Sequence, residues 1–355
     1  MTDWTSTMQQ MFEYFIVDPN TWSDIKKLNS VISCTINRDN DTETLGSASL
    51  ETTEQLDECY IRIYLITIQN GVKERHPLGV FMVQTPSISF DGKITKITMD
   101  SYTPLLELKE SLPPLGYYIP KETNIMKKAF DIIKENARAP VIETEDEEKL
   151  SFDFVANTDD TWITFINDLI ANANFTLGLD ELGQVIFLPN QDVKSLNPIW
   201  TFDDSNSSIL YPELDISRDL YGIPNVVEVI YSKGSMSYYY KAENNDENSP
   251  ISTINRGREI IHRENNPEIS GYISEERIKD YAINLLRKLS TLEYTLSYTH
   301  GYCPVRLGDC VRLNYKKAGL NNVKAKIISQ SIKCEPGCPV TEKAVFTDEL
   351  WEGWK

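Results

Sequence analysis

A mainly β fold with an α+β insert, two small β-barrel or sandwich domains joined by a helix-containing domain, is what the sequence predicts. Three observations carry it. Residues 58–68 ("ECYIRIYLITI") alternate at period 2, apolar spacing changes to period 3.6 beyond Thr103, and strand patterning returns at 225–240 ("NVVEVIYSKGSMSYYY"). At 355 residues the chain exceeds one typical core. The expected partition is 1–105, a first β-domain; 106–220, the insert; and 221–355, a second β-domain with one long helix at about 274–290.

In 58–68, Ile61, Ile63 and Leu65 fall on one face and Tyr60, Arg62 and Tyr64 on the other, the pattern of a half-buried strand. Asn70-Gly71 follows at once, supplying the positive φ angles of a tight hairpin, and Asp91-Gly92 repeats the device. With strands near 30–37 and 44–51, five or six mostly antiparallel strands are expected to curl into a barrel or sandwich. In 123–136, Ile125, Ala129, Ile132 and Ile133 share a helical face; in 160–173, Trp162, Ile163, Ile166, Leu169, Ile170 and Ala173 do so. The run "ETEDEEK" (143–149) is too acidic to bury and reads as a solvated loop, and a strand pair turns at Leu182-Gly183. A hairpin is expected at Lys233-Gly234. A further helix starts at Ser274, an N-cap followed by Glu275 and Glu276, and buries Ile278, Tyr281, Ala282, Leu285, Leu286 and Leu289. Strands at about 292–299, 309–315, 323–333 and 340–347 complete the pattern.

Charge restricts function. Lys+Arg 35 against Asp+Glu 53 gives −18, the wrong sign for holding nucleic acid through its phosphates. No window approaches a membrane span, and the amino terminus lacks a secretory pattern, so a protein made in a cytoplasm is expected. No phosphate-binding glycine loop, nucleophile elbow or metal-ligand histidine pair is present, which favours a structural or assembly role over an enzyme. The acidic groups Asp39, Asp41 and Glu43, and Asp203 with Asp204, lack the glycine and the spaced Glu of a calcium loop and read as turns.

Four of the six cysteines, Cys303, Cys310, Cys334 and Cys338, lie within 36 residues. Should strand 309–315 pair with 323–333, all four could converge at one end of a barrel. Four thiolates suit zinc or an iron–sulfur cluster. One or two disulfides and plain buried thiols remain open as well, since the spacing is not a double C-x₂-C. His300, three residues from Cys303, also raises a Cys-His nucleophile, although no group to orient the histidine can be named.

The stretches "LGSASLE" (45–51), "HPLGVFMVQTP" (76–86), "ITMDSYTPLLELKE" (97–110), "DLYGIPNVVEV" (219–229), "SPISTINRGREI" (249–260) and "PVRLGDCVRL" (304–313) together resemble bacteriophage tail-hub proteins, the baseplate or tail-tip hubs of contractile and long non-contractile tails and of related bacteriocins. The resemblance implies a late virion protein, assembled in the host cytoplasm and resident at the tail tip. It implies a homotrimer whose paired β-domains adapt a sixfold tail tube, or a distal tail protein, to a threefold spike, fibre or tail-tip protein. A tape-measure protein is a further implied neighbour, and DNA only passes through. An acidic channel wall would repel that DNA. Some tail-tip proteins carry a four-cysteine iron–sulfur site near the carboxy terminus, and the four cysteines here are similarly placed. Because "DELWEGWK" follows the last strand directly, no lytic domain is expected. The alternatives are a receptor- or glycan-binding tip protein using tyrosines such as those of "SYYYKAEN", and a cell-wall-degrading tail enzyme.

Overall fold

The computed structural model describes residues 2–90, 92–93, 95–218, 220–233, 236–267 and 273–350. Seven strands occupy the first block: β1 (Gln9–Val17), β2 (Asp24–Leu28), β3 (Val31–Asp39), β4 (Gly46–Thr52), β5 (Tyr60–Gln69), β6 (Val72–Phe90) and β7 (Thr95–Tyr102). They lie in the spatial order β3-β4-β7-β6-β5-β1-β2, every pair antiparallel. The β5–β6 turn is Asn70-Gly71, with φ of 52° and 78°. The β6–β7 turn contains Gly92 at φ 95°, while Asp91 lies outside the described residues. Register shifts opposite Ile63/Tyr64 and between Val83 and Thr85 bend the 19-residue β6, so that it pairs with β5 along one stretch and β7 along another. Residues from all seven strands, Tyr14, Leu28, Ile36, Leu50, Ile63, Phe81 and Met99 among them, meet in a single core.

The chain divides into two compact units, and both are discontinuous: Met1–Leu214 with Ser297–Ala344, and Asp215–Leu296 with Val345–Lys355. This differs from three consecutive segments. The reason is strand pairing across the length of the chain: Val323–Lys333 pairs antiparallel with β3, and Cys310–Asn314 pairs with Val323–Lys333 and, in parallel, with Trp200–Asp203. Tyr302, Ile332, Cys338 and Val340 thereby enter the same core as the amino-terminal strands. The unit boundaries fall inside the strands Leu210–Arg218, Thr291–Gly301 and Pro339–Glu349.

The insert contains α1 (Leu106–Glu110), α2 (Ile125–Asn136) and α3 (Trp162–Ala171). The Asn124 side chain accepts from Lys127 N–H to cap α2, and Thr161 with Thr164 forms a reciprocal capping box on α3. Their apolar faces share one core with the hairpin Phe175–Leu179/Val185–Pro189. At the tip of that hairpin, Gly183 has φ 76°, and a Cβ there would stand 2.6 Å from Val80 Cβ, so only glycine lets the turn approach β6. Beside it Trp22 Nε1–H donates to Leu182 O at 2.8 Å, and Arg62 reaches the same carbonyl at 3.4 Å.

This approach corrects one expectation. Period 2 along β5 suggested one wet face, yet Tyr60 (2% exposed), Arg62 (5%) and Tyr64 (7%) are buried too. Arg62 is satisfied by Asp24 at 2.8 Å and Trp22 O at 3.0 Å, the Tyr64 hydroxyl donates to Asp24 at 2.9 Å, and the Arg75 guanidinium lies 3.4 Å above the Tyr64 ring. Polar side chains thus form a second covered layer, not a solvated face.

In the second unit, Val226–Lys233 sits between antiparallel Met236–Glu243 and parallel Ile261–Asn265. The residues of the Lys233-Gly234 turn beyond Lys233 lie outside the described residues. A short helix, α4 (Thr253–Arg256), precedes α5 (Glu275–Leu289), where the Arg277 N–H donates to the Ser274 side chain, the N-cap expected. Ile278, Ala282 and Leu286 are buried against Val227, Val229, Tyr231 and Ala242, with Tyr281, Leu285 and Leu289 at the margin.

Ile36, fully buried at the centre of β3, is expected to cost about 2–5 kcal/mol when replaced by Ala. Ile25→Ala, at a position 62% exposed on edge strand β2, should stay within roughly 0.5 kcal/mol, both read by urea denaturation.

Candidate functional site

The four clustered cysteines separate into three places. Cys334 N–H donates to Cys34 O at 2.9 Å, and Cys34 and Cys338 are core residues with Cys334 packed against them. Cys303 lies elsewhere, 3.9 Å from His300 Nδ1. Cys310 opens its own strand with its thiol directed at Val311 O, 3.8 Å away, near Lys324 and Arg312. Among the described residues no group of three or more His, Cys, Asp or Glu side chains is placed to hold a metal ion, and all four cysteines singled out in the sequence are described. Of those four, the structure places Cys334 and Cys338 together. Their partner Cys34 was missed, because it lies 300 positions before Cys334 and no local pattern links them.

Around Cys303 stands a buried polar network. Glu342, fully buried, accepts from the Tyr298 hydroxyl at 2.8 Å and from Gln330 Nε2 at 2.6 Å, with His300 Nε2 at 3.3 Å from Oε1. Gln330 also donates to Val305 O at 2.9 Å and accepts from Arg38, whose other nitrogen donates to Leu78 O at 2.7 Å. His300 Nδ1 lies 2.6 Å from Gly301 O, and since a carbonyl only accepts, Nδ1 carries a hydrogen. Nε2, buried near the carboxylate, has no hydrogen-bond partner.

This is not the environment of a cysteine nucleophile. Burial, reinforced by the Glu342 charge, pushes the Cys303 thiol well above its usual range, whereas an active thiolate needs the opposite shift. Cys303 and His300 are 2% and 0% exposed, so no substrate reaches them in this conformation. Apart from His300 Nε2, which lies buried without a hydrogen-bond partner, the network is that of a paired polar core.

The acidic groups behave as turn formers. Asp39 Oδ1 accepts from Asp41 N–H at 2.8 Å, and Asp203 Oδ1 from Ser205 N–H at 3.1 Å. Of the three consecutive tyrosines, Tyr238 and Tyr240 pack against the α5 core, and the exposed Tyr239 donates to Glu228 at 3.1 Å. Large exposed apolar side chains occur instead on the insert, at Leu112, Leu115, Tyr118, Phe152 and Val155, and near the β6–β7 tip, at Ile88 and Phe90. Tyr118 and Val155 are cross-strand partners on the outward side of a short ladder whose neighbouring residue, Ile119, faces the core. Surfaces of this kind suit contact with other proteins.

The fold matches solved phage tail proteins. The tail protein from Neisseria meningitidis MC58 aligns with a TM-score of 0.65 over 97% of this chain and 98% of that one, at 9% identity. The 43 kDa tail protein of prophage MuSo2 from Shewanella oneidensis gives 0.62 over 94% and 98%, at 11% identity. The prophage tail protein gp18 from Listeria monocytogenes EGD-e gives 0.50 over 94% of each chain, at 11% identity. No family model and no curated protein matches the sequence. At such identities the likeness is one of fold: the chain has the mainly β fold, with a small helical insert, of these tail proteins, as the sequence resemblance implied.

Removing the Glu342 carboxylate should strand the Tyr298 hydroxyl and one Gln330 N–H in the core. Glu342→Ala is expected to lose about 3–5 kcal/mol and Tyr298→Phe about 1–2 kcal/mol in urea denaturation.

Proposed function

We propose that the chain is a structural component of a phage-type tail, a homotrimeric hub at the distal end of the tail tube. The observation that carries this is the whole-length match to tail proteins, covering both compact units with almost nothing left over on either side. Three copies would present six related β-domains to a sixfold tube or distal tail protein, and a threefold surface to a spike, fibre or tail-tip protein. The exposed apolar groups of the insert and of the β6–β7 tip are natural contact points for such neighbours, because they are large and uncovered in the single chain.

A share of the −18 charge would line the central channel, where like-charge repulsion keeps transiting DNA from adhering. Buried thiols and a buried hydrogen-bonded network around Glu342 fit a scaffold that must hold its shape under load. The host-binding alternative rests on exposed tyrosines, and two of the three consecutive ones are spent on the core.

Native mass spectrometry of the full chain is expected to show three copies, and the isolated trimer to leave duplex DNA unbound at low salt, where electrostatic attraction would be strongest. A chain that remains single and attaches to host cells would replace the hub reading with that of a receptor-binding protein.

A further inference from the structure

We infer that Cys34 and Cys334 are a latent cross-strand disulfide, a covalent modification site that fastens β3 to the strand Val323–Lys333. In the register of these strands Ile332 faces Ile36 and Lys333 faces Thr35, so the next pair sets Cys334 opposite Cys34. The backbone bond from Cys334 N–H to Cys34 O, 2.9 Å, continues the ladder to that pair. Directly opposed residues of an antiparallel ladder send their side chains to the same face, and a hydrogen-bonded pair has a Cα separation of about 5.5 Å. That lies inside the range a disulfide spans, about 4.4–6.8 Å. Cys34 and Cys334 also pack on the same core, beside Tyr14.

Access differs between the partners. Cys34 is 4% exposed, while Cys334 is half-buried where the strand gives way to the 335–338 turn. Cys334 is therefore the entry point. Its thiolate attacks a small disulfide such as oxidised glutathione, forming a mixed disulfide and releasing one glutathione thiolate. Cys34 then loses its proton to solvent, and its sulfur attacks Cys334 Sγ, expelling the second glutathione. Two protein thiols are oxidised and one glutathione disulfide is reduced to two thiols. The neighbouring Cys334 thiol, with burial, holds the Cys34 thiol above its ordinary range, so the closing step accelerates as pH rises. Cys338 is the competing partner, but it sits across a tight turn at φ 40°, its N–H bonded to Glu335 O at 2.8 Å, and the sheet register does not present it to Cys334. Cys59 is a poorer site: burial, then the charges of Asp57 and Glu58, push its thiol up to about 11.

The linkage would close a loop of 300 residues between the two ends of the first unit, and it does not depend on the tail assignment. The test incubates the full chain with oxidised or reduced glutathione at pH 8, counts free thiols after denaturation, and maps linked peptides by mass spectrometry. Six thiols are expected in the reduced protein and four after oxidation, with Cys34 joined to Cys334 and a rise in Tm on the order of 5 °C. Cys34→Ser should abolish the linkage and Cys59→Ser should leave it intact. Six thiols persisting after oxidation, a linkage of Cys334 to Cys338, or a mixed disulfide stalled at Cys334 would each overturn the inference, and the wild-type map alone distinguishes them if a variant fails to fold.

Discussion

The antiparallel pairing of β3 with Val323–Lys333 is the constraint on which the first unit depends. It joins residues 35–39 to 329–333, and the Ser331 hydroxyl donates to Asn37 across the seam at 2.8 Å. Through it the carboxy-terminal strands contribute Tyr302, Ile332, Cys338 and Val340 to a core begun by residues 14–99. Bringing such distant segments together costs loop-closure entropy, which grows only slowly with length but must be met before the contacts form. Nearly the whole chain must exist before the unit can close.

The buried polar network hangs on the same seam. Arg38 comes from β3, Gln330 from the strand it pairs with, and Glu342 from the next strand along, so their bonds form only when all three are in register. A satisfied network of this kind penalises a slip in pairing, because any shift would leave a buried carboxylate or amide without partners. The covered second face of β5 works likewise: Arg62 can be buried only because Asp24, Trp22 and the hairpin turn at Leu182 are all in place.

What the sequence disclosed and what it hid divide along the same line. The Asn70-Gly71 hairpin, the apolar faces of α2 and α3, the Ser274 cap and the terminal strands were legible because each is written in fewer than about fifteen consecutive residues. The domain partition was not, because period 2 states that a strand exists and not which strand it joins. For the same reason Cys34 stayed outside the cysteine grouping, and Glu342, Gln330 and Tyr298 looked like ordinary positions on alternating strands. Arg62 was expected to face water because an arginine opposite an apolar stripe usually does so. Only the three-dimensional cover over β5 reverses that reading.

Native-state hydrogen exchange would test the seam most directly. If β3 and Val323–Lys333 form one cooperative unit, their interior amides should exchange together, by global unfolding, with protection matching that of β5. Exchange of 323–333 at rates far above those of β3 and β5 would contradict the account, since it would show the carboxy-terminal strands opening from a core that stands without them.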